Sequence, residues 1–568
     1  MSEAKNNHGH LGLSRRRFLI QVGKIGGAAA LSEAMTAMGL INIPEAWAGP
    51  LKLPENIGNG KSVVILGAGI GGLTAAFELS RIGYDCIILE AQNRVGGRNH
   101  TVRAGDVITE QSSEHGVTEQ VCHFDDNPEI YLNAGPGRIP YHHHRLIHYC
   151  NILGVELENY VMNTTANLFQ SDKSFGTESQ VYRQIKYDTQ GYIAEMLATC
   201  VNKGALDEEL DQDEQQALLS LLKQWGMLGK GKDCSEYEYC GSTNSGCRYP
   251  PSVYQQCDFP PPIPFRDLLQ SGFWSDSFYQ PDEYQWQSTL FQPKYGMDMI
   301  VRGFESALQD KVPIQINSPV TDIEVLSGGV RVQYDSPDGP QTIEADYVIS
   351  NVPLPILSKI PNNFTSDFSD AVNQARFAPT CKVGWQSNER FWEGRKYQIY
   401  GGISWIDNII TQVWYPSNGY FARKGVLTGM YNFGQRAINF GKMSLKVRLL
   451  VAKNGIRKLQ SEFGDECIVP TNLGLSIAWQ NVPFQRGGWT AWDPNSAADA
   501  AAYERLLQPD GSGRLYVVGD QVSSLPGWQE GAMMSAEHVV ESIAGFRRKK
   551  RIAPILHAPD SRGITGSN

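Results

Sequence analysis

The sequence is short of several things. Outside the first fifty residues no segment approaches the ~18 uninterrupted apolar residues of a spanning helix. There is no G-x-S-x-G, H-E-x-x-H or Walker motif, so serine hydrolase, zinc protease and P-loop chemistry have no support. No fixed-period repeat is present, which excludes solenoids and propellers. Only 19% of residues are charged and the net charge is −10 over 568 residues, a balance that argues against nucleic-acid binding. The ten cysteines include no pair at zinc-ligand spacing. Cys234, Cys240, Cys247 and Cys257 are separated by 5, 6 and 9 residues in a Tyr/Pro/Ser/Gly-rich stretch. Disulfides in a surface insertion and free thiols both fit them, and the other six cysteines read as small buried apolar residues. No metal site is expected: adjacent His142, His143 and His144 point in different directions on a helix, lack a completing carboxylate or thiolate, and read as an exposed helix start.

Hydrophobic content is ample, at 41%, with 10% aromatics, enough to build more than one core. Ser14-Arg15-Arg16-Arg17-Phe18-Leu19 precedes an Ala/Gly-rich, weakly apolar stretch from Ile25 to Ile43, and Ala46-Trp47-Ala48 supplies small residues for cleavage. Residues 1–48 therefore read as a twin-arginine export signal, with the translocation machinery as partner and a periplasmic or secreted destination. Glu33 interrupts the stretch, so stable membrane insertion is not expected. These 48 residues carry five Lys/Arg against three Asp/Glu, leaving the remainder at −12. That pathway carries folded, commonly cofactor-loaded proteins, a first hint of redox chemistry.

Val63-Val64-Ile65-Leu66 is a buried-type strand running into glycines, apolar residues recur at helical spacing from Leu73 to Ile82, and Cys86-Ile87-Ile88-Leu89 is a second strand ending at Glu90. Gly67-Ala68-Gly69-Ile70-Gly71-Gly72 thus places G-x-G-x-x-G after a strand and at the opening of a helix. Gly67 permits the turn, Gly69 lets amides approach a pyrophosphate, and Gly72 brings helix and sheet together. Glu90, 23 positions after Gly67, is placed to accept from an adenosine ribose. Leu515-Tyr516-Val517-Val518 is a strand of the same kind running into Gly519-Asp520, followed by a helical pattern from Gly531 to Ile543. A hairpin is expected around Ser327-Gly328-Gly329, and a strand over Ala345–Asn351.

Glu90-Ala91 followed by Arg94-Val95-Gly96-Gly97-Arg98, and Gly519-Asp520 followed by Gly527-Trp528-Gln529-Glu530-Gly531-Ala532, resemble the flavin-dependent amine oxidase family. The resemblance covers most of residues 60–545. It implies noncovalent FAD, because Trp489 stands after Gly487-Gly488 where covalently flavinylated members carry Cys. Val320 matches the adenine-contacting position and Trp479 the tryptophan near the flavin. Asn133-Ala134-Gly135-Pro136-Gly137-Arg138-Ile139-Pro140 is similar to the L-amino-acid oxidase version of its segment, in which the arginine grips a carboxylate bidentately. Tyr431 falls where such oxidases place a carboxylate-binding phenol, Lys382 where the family holds a water near flavin N5, and Trp528 at the substrate wall.

The implied fold is mixed α/β: a Rossmann-like FAD-binding domain (60–130, 300–355 and 505–546), a β-sheet substrate domain (131–157 and 355–500), and a helical subdomain with a Cys-rich insertion (158–290). A basic tail spans 547–568. The implied reaction is oxidative deamination of L-amino acids to 2-oxo acids, ammonia and hydrogen peroxide, by hydride transfer from the α-carbon to flavin N5 and reoxidation by O2. An amine oxidase and a decarboxylating amino-acid monooxygenase are the alternatives, and a homodimer is expected from the resemblance.

Overall fold

Val63 to Leu66 are all essentially inaccessible, which requires cover on both faces of the strand Ser62–Leu66. In the computed structural model this strand is central to a five-stranded parallel sheet. Ile314–Gln315 and Asp85–Leu89 lie on one side, Tyr347–Ser350 and Leu515–Val517 on the other. Residues 49–546 are described, apart from 232, 276, 277 and 512; the segment expected to be an export signal and the basic tail lie outside the described residues.

Alternation decides which layer each strand residue joins. Val63 and Ile65 pack with helices Ile70–Arg81, Met299–Leu308 and Gln529–Ile543. Val64 and Leu66 face a three-stranded sheet, built on the expected hairpin Val320–Val325/Val330–Ser336, and helices Ser366–Gln374 and Ala497–Leu506. Strands more than 400 residues apart in sequence are thereby sealed into one layer. Their carboxyl ends share one edge, where a doubly wound sheet binds its ligand.

The second sheet has seven strands. In spatial order they are Gln180–Val181, Leu168–Ser171, Ile403–Asp407, Gln412–Trp414, Gly425–Phe433, Thr380–Ser387 and Gly474–Ala478. Every residue of Thr380–Ser387 is buried. Lys382 is directly opposite Tyr431 on one neighbour and Ile477 on the other, so the lysine and the phenol project from the same face.

The region expected to be helical does contain Tyr182–Asn202 and Gln212–Trp225, the latter started by a reciprocal Asp211/Glu214 capping box. It also lends Leu168–Ser171 and Gln180–Val181 to the seven-stranded sheet, pairing that no local periodicity reveals. The cysteines resolve into disulfides Cys234–Cys240 and Cys247–Cys257. Of the other six, Cys86, Cys122, Cys150 and Cys381 are buried, whereas Cys200 and Cys467 are exposed, a correction to the uniform buried reading. No helix among the described residues is long and apolar enough to cross a membrane.

Candidate active site

The two sheets face each other across a cavity of about 1540 Å³ that runs without a break from Glu90 to Tyr431. Its inner half is backbone. Gly67 has φ +94°, a left-handed value suited to glycine. A Cβ on Gly69 would stand 2.6 Å from the Asn351 side-chain nitrogen, and one on Gly71 would stand 2.8 Å from its oxygen. Glycine is therefore needed for the chain to pass Asn351, at the exit of the strand Tyr347–Ser350. Glu90 is buried; its carboxylate accepts from the Ala68 and Gln92 amides, both at 2.8 Å, which fixes it at the end of its strand. Burial pushes its carboxyl above the ordinary range. Ala91 and Val320 line the same end.

Towards the middle, Arg98 pairs with Asp520, whose second oxygen also accepts from the Gly527 amide at 2.7 Å. Gly519 donates its amide to Ser535. These bonds lock the turn that delivers Trp528 to the N-terminus of helix Gln529–Ile543, where free N–H groups favour electron-rich ligand atoms. Gln529 is held by Asn99 at 2.9 Å, and Trp479 donates its indole N–H to the Ala134 carbonyl at 2.9 Å. Gly97, Gly135, Pro136, Gly137 and Ala532 complete this part of the wall.

Three residues singled out in the sequence stand outside the lining. Gly72 packs against the Gly67 carbonyl, and Gly531 against the Leu525 carbonyl and Ser523. Arg94 is half-buried outside the lining, in the field of Glu90, Asp106 and Asp298.

The outer half is aromatic and cationic. The Arg138 guanidinium lies 3.4 Å from the ring centre of Trp286, 4.9 Å from Trp528 and 5.2 Å from Trp414. It makes no ion pair among the described residues, and its Nε is buried without a hydrogen-bond partner. Burial pulls it down to about 10, still charged at neutral pH. Lys382 donates to the carbonyls of Asn133 (3.1 Å) and Gly135, with its nitrogen 4.6 Å from the Tyr431 ring and 5.2 Å from Trp414. Burial first, and Arg138 second, bring it down to about 7. Burial raises the Tyr431 phenol to about 12, against the pull of Arg138, so it is a neutral donor.

Trp286 and Trp414 were not singled out in the sequence; both reach Arg138 through long-range contacts and carry no local signal. Asn351 is visible there only as a polar strand exit. The histidines need correction. His144 is exposed, but His143 is buried, edge-on to Trp528 at 4.9 Å, and shares the Gln285 carboxamide oxygen with His142. Burial holds His143 down to about 3, so it stays neutral and supports the tryptophan.

A glycine-lined cradle at the switch of a parallel sheet, opening directly into an aromatic chamber, is the architecture of a dinucleotide-binding site joined to a substrate pocket. Residues 70–544 match the family model described as flavin containing amine oxidoreductase, and the chain belongs to that family. It is 24% identical over 514 residues to a flavin-dependent L-tryptophan oxidase of Lentzea aerocolonigenes, covering 85% of this chain and 98% of that protein. It is 23% identical over 492 residues to an L-amino-acid oxidase of Pseudechis australis, covering 85% and 86%. Among solved structures, a putrescine oxidase bound to putrescine shares the fold with a TM-score of 0.52 at 17% identity, over 86% of this chain and 99% of the other.

Proposed function

We propose that the protein is an exported, FAD-dependent L-amino-acid oxidase that converts its substrate to a 2-oxo acid, ammonia and hydrogen peroxide. The observation that carries the reading is Arg138, a half-buried guanidinium on the cavity wall whose Nε is buried without a partner and which makes no ion pair among the described residues. A cation withdrawn from water without a counterion costs several kcal/mol, and a site that keeps one is built to receive an anion. Lys382 stands over the same Trp414 ring, so the two basic side chains line one chamber. The planar fork of Arg138 matches two carboxylate oxygens, with Trp286 against its face and its donors left to the chamber.

The cradle fits FAD. Gly67, Gly69, Gly71 and the first turn of helix Ile70–Arg81 would meet the diphosphate, Glu90 the ribose, Val320 the adenine, and Asp520 with Ala532 the flavin end. Bound FAD supplies the two-electron acceptor for the α-C–H bond and passes the electrons to O2. With no cysteine among the described lining residues and Trp489 in the wall, attachment is noncovalent. The chain's own contribution is orientation. Arg138 and Tyr431 fix the carboxylate while Trp528, braced by His143, limits rotation about the α-carbon; positioning of this kind can be worth roughly 7–11 kcal/mol of a barrier. Export through residues 1–48 belongs to the same proposal, and two disulfides suit an oxidising compartment.

Product analysis tests the reading. An L-amino acid should give 2-oxo acid, ammonia and peroxide in equal amounts. An amide one carbon shorter with CO2 would instead make the protein a decarboxylating monooxygenase, and turnover of amines alone would make it an amine oxidase.

A further inference from the structure

We infer that Arg145, a residue outside the cavity, positions Trp528 and the flavin-facing end of helix Gln529–Ile543 by clamping Glu530 to the helix that follows Arg138. The inference rests on the flavin site of the proposed function and not on which substrate is oxidised.

Helix His144–Ile152 begins six residues after Arg138 and packs on helix Gln529–Ile543 through a mostly apolar seam that includes Leu146, Cys150, Met533 and Ala536. Polar side chains in such a seam are costly unless paired. Arg145 donates from Nε to Glu537 at 2.7 Å and from an Nη to Glu530 at 2.8 Å. The Leu146 amide donates to the other Glu530 oxygen at 2.8 Å. The Tyr149 hydroxyl lies 2.9 Å from Glu78, on helix Ile70–Arg81, and 3.3 Å from Glu537. The side chains of Arg145, Glu530 and Glu537 are at most 7% exposed, and none of them lines the cavity. Three helices are thus fastened at one buried point.

The clamp fixes register. Apolar faces alone resist sliding weakly, whereas moving either helix here would strand buried carboxylates without their cation. His143 stands two residues before Arg145 and Trp528 two before Glu530, and their rings meet edge-on at 4.9 Å. Trp528 in turn lies 4.9 Å from the Arg138 guanidinium. Gln529 and Ala532 line the cavity where the flavin end of FAD would rest, and Leu146, whose amide holds Glu530, lines it as well. A shift at Glu530 is therefore passed to the cofactor wall and the substrate wall together. Glu537, seven residues further along, stands about two helical turns away from that wall.

The two carboxylates respond differently to replacement by the isosteric amide. Both Glu530 oxygens accept, so Glu530→Gln turns an amide nitrogen towards a donor, either the Leu146 N–H or the Arg145 guanidinium, and opens the clamp. At Glu537 only the oxygen on Arg145 has to accept. Tyr149 has one proton, directed at the nearer Glu78, and its oxygen can accept from the amide of Glu537→Gln.

Both variants, with FAD bound, are compared with the wild type by visible circular dichroism of the oxidised flavin, which reads the asymmetry of the wall without any substrate. Anaerobic flavin reduction is then timed at saturating concentrations of whichever substrate the wild type uses. Glu530→Gln should alter the flavin bands and slow reduction roughly 10- to 100-fold, the cost of a misplacement of about 1 Å. Glu537→Gln should keep the wild-type bands and a rate within about threefold, although both substitutions lower the melting temperature. Glu530→Asp keeps the charge and shortens its reach by one methylene; it should alter the bands in the same way, and it carries the test if the amide variant does not accumulate. Wild-type bands and rate in the Glu530 variants, or an equal disturbance by Glu537→Gln, overturn the inference. Reduction of the wild type by amines and by no L-amino acid would overturn the proposed function and leave this comparison intact.

Discussion

Replacing Arg138 by Met removes the proposed carboxylate anchor while keeping most of its packing volume. Two charge-assisted hydrogen bonds to one carboxylate, in a chamber walled by Trp286, Trp414 and Trp528, are together worth about 3–5 kcal/mol by comparison with truncated buried charge pairs. At 1.4 kcal/mol per decade, kcat/KM for an L-amino acid should fall by roughly 10² to 10³·⁵, mostly as a rise in KM. The fold should not suffer to match. The variant loses ring contacts worth about 0.5–2 kcal/mol but no ion pair, and it is relieved of an unpaired, half-buried charge. Steady-state peroxide assays across substrate concentration, with thermal melting of the same preparations, read both quantities. A KM within about threefold of wild type would refute the assignment of Arg138. A large loss of stability would refute the claim that its charge is uncompensated in the free enzyme.

Lys382→Met should change the pH dependence of melting. The folded lysine releases its proton near 7 and the unfolded one near 10.5, so its unfavourable burial is felt in full below pH 7 and vanishes as pH rises towards 10.5. The stability difference, variant minus wild type, should therefore be largest in acid and shrink between about pH 7 and 10; a flat difference contradicts the assigned burial. Gly71→Val should purify without yellow colour, because its side chain enters space held by Asn351 and Gly519; full flavin content in the variant contradicts the cradle. Arg448→Met gives the contrast to Arg138. Its guanidinium meets both Glu110 oxygens at 2.8 Å in a buried pair, and its loss should cost about 3–5 kcal/mol in denaturant unfolding with little change in KM.

The cradle was legible because it is local. A strand, three glycines and an acid within 28 residues are dictated by backbone sterics and by donors at a helix start, and the structure puts Gly67 at positive φ and Glu90 at the strand end. Arg138, Lys382 and Tyr431 were visible through resemblance, and the cross-strand register of Lys382 with Tyr431 explains why two residues 49 positions apart meet in one chamber. What covers Arg138 was not legible. Trp286 lies 148 positions away in the single 3-10 turn Tyr284–Trp286 and Trp414 lies 276 away on another strand, and neither has a spacing that announces it. His143 shows the limit of local reasoning from the other side: its position at a helix start was sound, but tertiary packing turned its ring inward against Trp528. The same limit applies to Leu168–Ser171, a strand joined to the seven-stranded sheet by a partner more than 230 residues away.

The central claim is that the flavin in this chain is reduced by L-amino acids because Arg138 receives their carboxylate. Anaerobic mixing of the purified yellow protein with the twenty L-amino acids and a set of amines, following flavin absorbance, tests it most directly. The account predicts bleaching by L-amino acids and none by the amines from which only the carboxylate is missing. Bleaching by those amines at comparable rates would contradict it.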